Sequence, residues 1–113
     1  MNRNSVHLIG RLTDNPTVRS ITSGPVCNLN IAVNGTPKKG STERPVEFIP
    51  VTVFGNQANS CAANLVKGQE VSIEGRLHFR KQQIGDKKVT VGDVTAYRVE
   101  FGTKPKAQLA AAA

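Results

Sequence analysis

The chain has 113 residues, which suits one domain and leaves no room for a second domain of usual size. Hydrophobic residues make up 38% and charged residues 20%, proportions that exclude disorder along the whole length. Fifteen Lys and Arg against eight Asp and Glu give a net charge of +7. This excess favours a polyanionic partner such as nucleic acid, although many small proteins are basic for solubility alone.

The cysteines and the apolar runs narrow the class of protein further. Cys27 and Cys61 are far apart and lack metal-ligand spacing, so no zinc site is expected, and no other metal or cofactor is indicated. No stretch of signal-peptide type follows Met1, and no run approaches the roughly 20 apolar residues of a membrane span. We therefore expect a cytoplasmic protein whose cysteines are reduced and buried.

Two runs of strand-forming residues open the chain. The first, residues 6–12, contains Gly10, and an isolated glycine in a strand is typical of a bulge or a barrel corner. The second, residues 26–34, alternates between apolar residues and asparagines, which predicts a strand with one buried face. The apolar positions of this second strand are Cys27, Leu29, Ile31 and Val33.

A stretch rich in Gly, Pro and Lys at residues 35–45 predicts a long, basic, mobile hairpin loop. It leads into a third strand at residues 46–54, whose β-branched residues at 49, 51 and 53 share one parity and indicate the core side. Phe48 and Phe54 have the opposite parity. We therefore expect both rings on the solvent-facing side of the sheet.

One helix and two long strands complete the pattern. The helix is predicted over residues 56–66, with Lys67 in its last turn and Gly68 just beyond as a C-terminal signal. A fourth strand starts at residue 70 and runs to a tip at 84–86, and a fifth returns from residue 87, with a bend or bulge at residues 92–93. Parity places Val71, Ile73, Gly75, Leu77 and Phe79 on the inward face of the fourth strand.

The order of elements predicts an all-β fold, a five-stranded OB-fold barrel with one short helix between strands 3 and 4. We expect this domain to span residues 1–103. Residues 104–113 are expected to form a short disordered tail.

Several segments resemble the bacterial single-stranded DNA-binding protein (SSB) family. They include residues 6–12 (VHLIGRL), 14–19 (DNPTVR), 53–55 (VFG) and 71–77 (VSIEGRL), and the similarity runs from about residue 4 to 101. The resemblance implies an OB-fold, usually a homotetramer, that wraps single-stranded DNA without sequence preference during replication, recombination or repair. It also implies a nucleoid-associated protein, with replication proteins as further partners and no membrane association. In this family bases stack on aromatic side chains while a basic groove follows the phosphates.

The chain departs from the family at its stacking positions and at its C-terminus. It has no tryptophan, and the three family tryptophans align with Phe48, Pro37 and Gln82, while a further family aromatic is kept as Phe54. Stacking should therefore be weaker and phosphate contacts relatively more important. The end of the chain lacks the acidic tail of typical members, which indicates a truncated chain or a shorter paralogue.

The predicted nucleic-acid-binding residues are two aromatics and eight cations. They are Phe48, Phe54, Arg11, Arg76, Arg80, Lys81, Lys87, Lys88, Lys38 and Lys39. Phenylalanines can instead be buried at a subunit interface or under a helix, and charged residues usually form a solvated face.

Two other functions stay open at this stage. A primosomal accessory protein resembling the PriB family would be a dimer that binds single-stranded DNA and recruits a helicase or its loader. An RNA-binding or purely protein-binding OB domain is the third possibility. An enzyme is not expected, because no nucleophile–base pair or pair of carboxylates occurs at a useful spacing.

Overall fold

The computed structural model describes residues 1–35, 39–40, 42 and 45–104. The described residues do not include Pro37, Lys38 or the part of the expected tail beyond Lys104. Six strands and one helix occur in the order β1 (Val6–Leu12), β2 (Thr17–Ile21), β3 (Gly24–Asn34), β4 (Val46–Phe54), α1 (Asn56–Asn64), β5 (Glu70–Ile84) and β6 (Lys87–Phe101).

Five of the strands form a ring. The sheet order is β1-β5-β6-β4-β3-β2, and an additional pairing of β1 with β3 closes the ring. The closure is uneven, because β1 pairs with β3 only at Arg11 and Leu12, whereas it pairs with β5 from Val6 to Arg11. The five-stranded OB-fold barrel is therefore confirmed, with the helix after β4, the third strand of the ring.

Strand β2 was not predicted from the sequence and lies outside the ring. It forms an antiparallel hairpin with β3, from Thr17 opposite Asn28 to Ile21 opposite Gly24. All five of its residues are exposed, so it carries no alternation of buried and exposed positions that a sequence pattern could show. It extends the barrel wall at an open edge.

The core fills the ring and is closed by α1. Its fully buried members include Ile31, Val53 and Ile73, and the helix adds Ala58 and Cys61. A side chain at Gly10 would come 2.5 Å from both Ala32 O and Ile31 Cγ2, so the close approach of β1 and β3 at this corner requires glycine.

Both cysteines are free and completely buried, as predicted. Burial raises the pKa of Cys27, and burial together with the neighbouring Cys27 raises the pKa of Cys61 to about 11. Both therefore remain thiols at neutral pH and act as small apolar core residues.

The helix ends two residues before the predicted terminus. Leu65 already has an extended backbone (φ −93°, ψ 146°) and is buried, so it leaves the helix to enter the core. The following loop is held instead by Gln69, whose Oε1 accepts from Val66 N and whose Nε2 donates to Gly102 O. The predicted signal of Lys67 in the last helical turn was therefore wrong.

Beyond Gly75, strands β5 and β6 continue past the barrel as a two-stranded arm. Leu77 is 43% exposed and Phe79 63% exposed, so their predicted inward positions were wrong. Both side chains do lie on the side of β5 that the parity assigned, but none of the described residues forms a second layer over the arm. A bulge at residues 92–93 was also wrongly predicted: Gly92 and Asp93 pair regularly, and the register shift lies between Glu74 and Gly75, where Tyr97 is left unpaired.

Candidate nucleic-acid interface

The outer face of β4 and its neighbours forms a continuous groove. One concavity of about 450 Å³ is lined by Arg19, Asn28, Leu29, Asn30, Pro50, Val51, Thr52, Arg80 and Asp93. A second, of about 270 Å³, is lined by Thr52, Phe54, Arg76, His78, Arg80, Asp93 and Thr95. The two share Thr52, Arg80 and Asp93, so we treat them as one surface, the outer-face groove.

Strand pairing explains why these side chains meet. Asn28 of β3 lies opposite Thr52 of β4, Thr52 opposite Thr95 of β6, and Thr95 opposite Arg76 of β5. Residues opposite one another in a sheet point to the same side. A row of polar side chains therefore crosses four strands and ends on an arginine.

The two predicted aromatics lie on this same side of β4, and both are exposed as expected. Phe54 is 47% exposed and lines the outer-face groove. Phe48 is 68% exposed and lies two residues beyond Pro50, a lining residue, without lining the groove itself. Six residues of strand separate the rings, a distance of about 20 Å along β4.

The arginines of the arm approach the groove from β5. Arg76 and Arg80 both line it, in agreement with their shared parity, and neither forms an ion pair with any described residue. Lys87 lies opposite Ile84 and has the parity of these arginines. Arg19 of β2 also lines the groove and was missed from the sequence, because β2 itself was not predicted.

One carboxylate lies among these cations. Asp93 is largely buried, and its Oδ1 is 3.5 Å from Nδ1 of His78 and accepts no hydrogen bond from the described residues. His78, Asp93, Asn28 and Asn30 are groove residues that the predicted site did not include. Of these four residues, only the two asparagines could have been found from the sequence, because parity places both on the outward face of β3.

The remaining predicted cations are distributed over three places. Arg11 lies beyond Phe48, since Arg11 pairs with Ala32 and Ala32 with Phe48, and its Nη1 donates to Gly68 O at 3.1 Å. Lys81 and Lys88 lie on the opposite side of the arm from Arg80. Lys39 is exposed in the loop between β3 and β4.

Two further observations concern the described residues as a whole. In the described ranges, no group of three or more His, Cys, Asp or Glu could hold a metal ion. The described part of the chain contains no helix long and apolar enough to cross a membrane.

Comparison with solved structures supports the fold. The chain superposes on a Plasmodium falciparum SSB in complex with ssDNA with a TM-score of 0.79 and 21% identity, covering 89% of this chain and 96% of that one. A small single-stranded DNA-binding protein from Streptomyces coelicolor gives a TM-score of 0.75, also at 21% identity, covering 96% of this chain and 99% of that one. At this level of identity the two structures establish the OB-fold barrel.

Sequence comparison gives the family. Single-stranded DNA-binding protein 1 of Clostridium acetobutylicum is 37% identical over 101 residues, 87% of this chain and 92% of that protein. Single-stranded DNA-binding protein 2 of Staphylococcus aureus is 38% identical over 100 residues, 87% of this chain and 71% of that protein. The sequence model of the single-strand binding protein family matches residues 3–102. The chain therefore belongs to the single-strand binding protein family.

Proposed function

We propose that this protein binds single-stranded DNA without sequence preference along the outer-face groove, and that it protects the strand during replication, recombination or repair. The observation that carries the proposal is the convergence of Phe54, Arg76 and Arg80 on one exposed groove. An aromatic platform beside a row of cations is the arrangement by which OB-folds hold single strands. Relatives named single-stranded DNA-binding proteins support it.

The groove separates the parts that would contact phosphates from those that would contact bases. Arg76 and Arg80 project from the arm side, and Arg19 reaches the groove from β2. The carboxylate of Asp93 lies between them and would repel phosphates from the floor of the groove. The sugar–phosphate backbone is therefore expected along the arginines, with the bases turned toward β4.

The bases would then meet Phe54 and, further along β4, Phe48. Both rings present exposed faces, and stacking on a ring is indifferent to which base is stacked. Asn28, Asn30 and Thr52 supply hydrogen-bonding groups between the rings, and amides and hydroxyls can both donate and accept. This combination supports binding that tolerates any sequence.

The assembly and setting of the protein are part of the proposal. We infer a homo-oligomer, with a tetramer as the usual assembly of the family, acting in the cytoplasm on the nucleoid. The binding domain is assigned to residues 1–103. No reaction is assigned to the groove, because it offers cations and aromatics for binding and no pairing of a nucleophile with a base.

A fluorescence titration of labelled oligo-dT across a salt series tests the function. Wild-type protein should bind oligo-dT in the presence of excess duplex, and the logarithm of the binding constant should fall steeply and linearly with the logarithm of salt concentration. Arg76→Ala and Arg80→Ala should each lower that slope by about one phosphate contact.

Lys104→Ala is the matched control, because it removes the same charge at an exposed position outside the groove. Equal affinity for duplex and single strand would contradict the proposal. An effect of Lys104→Ala as large as that of Arg80→Ala would show that net charge, and not the groove, determines binding.

A further inference from the structure

Two side-chain amides hold the strands at the place where the arm leaves the barrel. Asn4 lies two residues before β1 and contacts β5, and Gln57 lies in the first turn of α1 and contacts β6. Neither residue lines the outer-face groove, so neither belongs to the proposed binding surface.

Asn4 continues the pairing of β1 with β5 by means of its side chain. The backbone ladder ends where Val6 lies opposite Gly75, and the same register would bring Asn4 opposite Leu77. Nδ2 of Asn4 donates to Leu77 O at 2.8 Å, and its Oδ1 accepts from Leu77 N at 2.8 Å. The two residues of a hydrogen-bonded antiparallel pair exchange their two bonds in this same way. The amide of Asn4 therefore replaces one backbone step of β1 at the start of the arm.

Gln57 does the same for the pairing of β4 with β6, which is parallel. The backbone ladder ends with Val53 opposite Ala96. Beyond that point, Nε2 of Gln57 donates to Tyr97 O at 3.2 Å, and its Oε1 accepts from Val99 N at 2.8 Å. In a parallel ladder, one residue likewise bonds the carbonyl and the amide of two residues that lie two positions apart on the neighbouring strand. The amide of Gln57 therefore replaces one backbone step of β4.

The two amides bracket the register shift at the base of the arm. The shift lies between Glu74 and Gly75, where Tyr97 has no partner on β5. Asn4 holds β5 two residues beyond the shift, and Gln57 holds β6 at the unpaired residue itself. A bulge bends its strand and increases the local twist. The direction in which the arm leaves the barrel is therefore set at this point, between the two amides.

Few other contacts among the described residues fix that direction. The backbone of β1 pairs with β5 only as far as Gly75, and β4 pairs with β6 only from Val94 to Ala96. Every residue of β5 beyond Gly75 is exposed. A two-stranded hairpin without a covered face is only marginally stable by itself. We therefore expect an arm without the two amides to sample a wider range of directions.

We propose that Asn4 and Gln57 are positioning residues, which hold the bulge so that Arg76 and Arg80 line the outer-face groove together with Phe54 before a strand arrives. An amide suits this task because it donates and accepts at once, as the edge of a strand requires. Such preorganisation favours binding, since the arm need not be ordered when the strand binds. The inference rests on the proposed function and adds to it two residues that do not themselves contact DNA.

Distance measurements by electron paramagnetic resonance on the free protein test the positioning directly. Spin labels on Asn59→Cys in α1 and Asp86→Cys at the tip of the arm report the direction of the arm, and dilution with unlabelled protein restricts the measurement to one chain. The native cysteines are buried and should not react with the label. The distance distribution should be narrow with both amides present and broader with Asn4→Ala and Gln57→Ala combined. Distributions of equal width overturn the inference.

Isosteric variants make the same test without removing a side chain, should the alanine variants fail to fold. Asn4→Asp and Gln57→Glu still accept from the backbone N–H, but neither carboxylate can donate to the carbonyl that faces it. Each should broaden the distribution. Asn64→Ala is the matched control, because Asn64 donates to Ser60 O within α1 and should leave the distribution unchanged. A broadening for this control as large as for Gln57→Glu would overturn the inference.

Titration with oligo-dT shows whether the direction of the arm matters for binding. Asn4→Ala and Gln57→Ala leave the net charge unchanged, and each should weaken binding about two- to tenfold, the equivalent of one or two side-chain hydrogen bonds. Wild-type affinity in a variant with a broadened distribution overturns the inference, and so does an equal loss of affinity in Asn64→Ala. Failure of the wild-type protein to bind oligo-dT would instead overturn the proposed function, and a broadened distribution would then leave the two amides with a structural role alone.

Discussion

The two halves of β5 carry the same alternating sequence pattern and have different surroundings. In residues 70–75 the alternate positions Val71, Ile73 and Gly75 are buried inside the barrel. In residues 76–84 every position is exposed, including the apolar Leu77 and Phe79. Alternation therefore determines which side chains share a face, but it does not determine whether anything covers that face.

Because of this difference, the barrel half of β5 contributes to the stability of the fold, whereas the arm half is available for binding. The barrel half contributes side chains to the buried core, so burial of its apolar area stabilises the fold. The arm half leaves its apolar and cationic side chains to solvent, where they add little to the folded state and remain available for a partner. Substitutions in the two halves should therefore affect different measurements.

The largest expected effect is on the barrel half. Ile73 is completely buried, and Ile73→Ala should lower the free energy of unfolding by about 2–5 kcal/mol, since it removes apolar area and leaves a cavity. Phe79→Ala in the arm removes a larger side chain but should change stability by no more than about 0.5 kcal/mol. Urea denaturation followed by circular dichroism measures both, and a comparable loss for Phe79→Ala would show that the ring is covered in solution.

Gly75 in the barrel and Gly92 in the arm show the same difference in surroundings at single residues. A Cβ at Gly75 would meet the backbone of β6 at Thr95 O, at 2.9 Å from Thr95 C and at 3.0 Å from Ala96 Cα. Because these atoms belong to the barrel wall, Gly75→Ala should cost about 1–3 kcal/mol of stability. At Gly92 the nearest atoms belong to the movable ring of Phe79, so Gly92→Ala should change stability by about 0.5 kcal/mol at most.

Gly92→Ala should nevertheless displace the ring of Phe79. Thermal or urea unfolding of the two variants measures the contrast in stability. Equal losses of stability would mean that the arm is as tightly packed as the barrel, and the distinction between the two halves of β5 would fail.

The sequence predicted the barrel well because its signals are local. Parity in β3 and β4 located the core, and it placed Phe48 and Phe54 outside. The features that it missed depend on tertiary surroundings: β2 is exposed throughout, Leu65 leaves the helix because the core accepts it, and Phe79 has an inward parity but is 63% exposed. Arg19 and Asp93 became groove residues only through strand pairing.

The smallest effect on stability is expected at an exposed ring on the barrel itself. Phe48 is 68% exposed on the outer face of β4, so Phe48→Ala should change the free energy of unfolding by no more than about 0.5 kcal/mol. The same substitution should weaken binding of oligo-dT by about 1–3 kcal/mol, because it removes a stacking platform. Val46→Ala is the matched control, since Val46 is also apolar, exposed and on the same side of β4.

The combination of results for Phe48 decides between two physical roles. Loss of affinity with unchanged stability, and no effect of Val46→Ala, would show that the exposed ring of Phe48 serves binding and not the stability of the barrel. Unchanged affinity would show that the stacking assignment of Phe48 is wrong. A fall in stability that depends on protein concentration would place the ring in a contact between subunits, since only an assembled state couples unfolding to concentration.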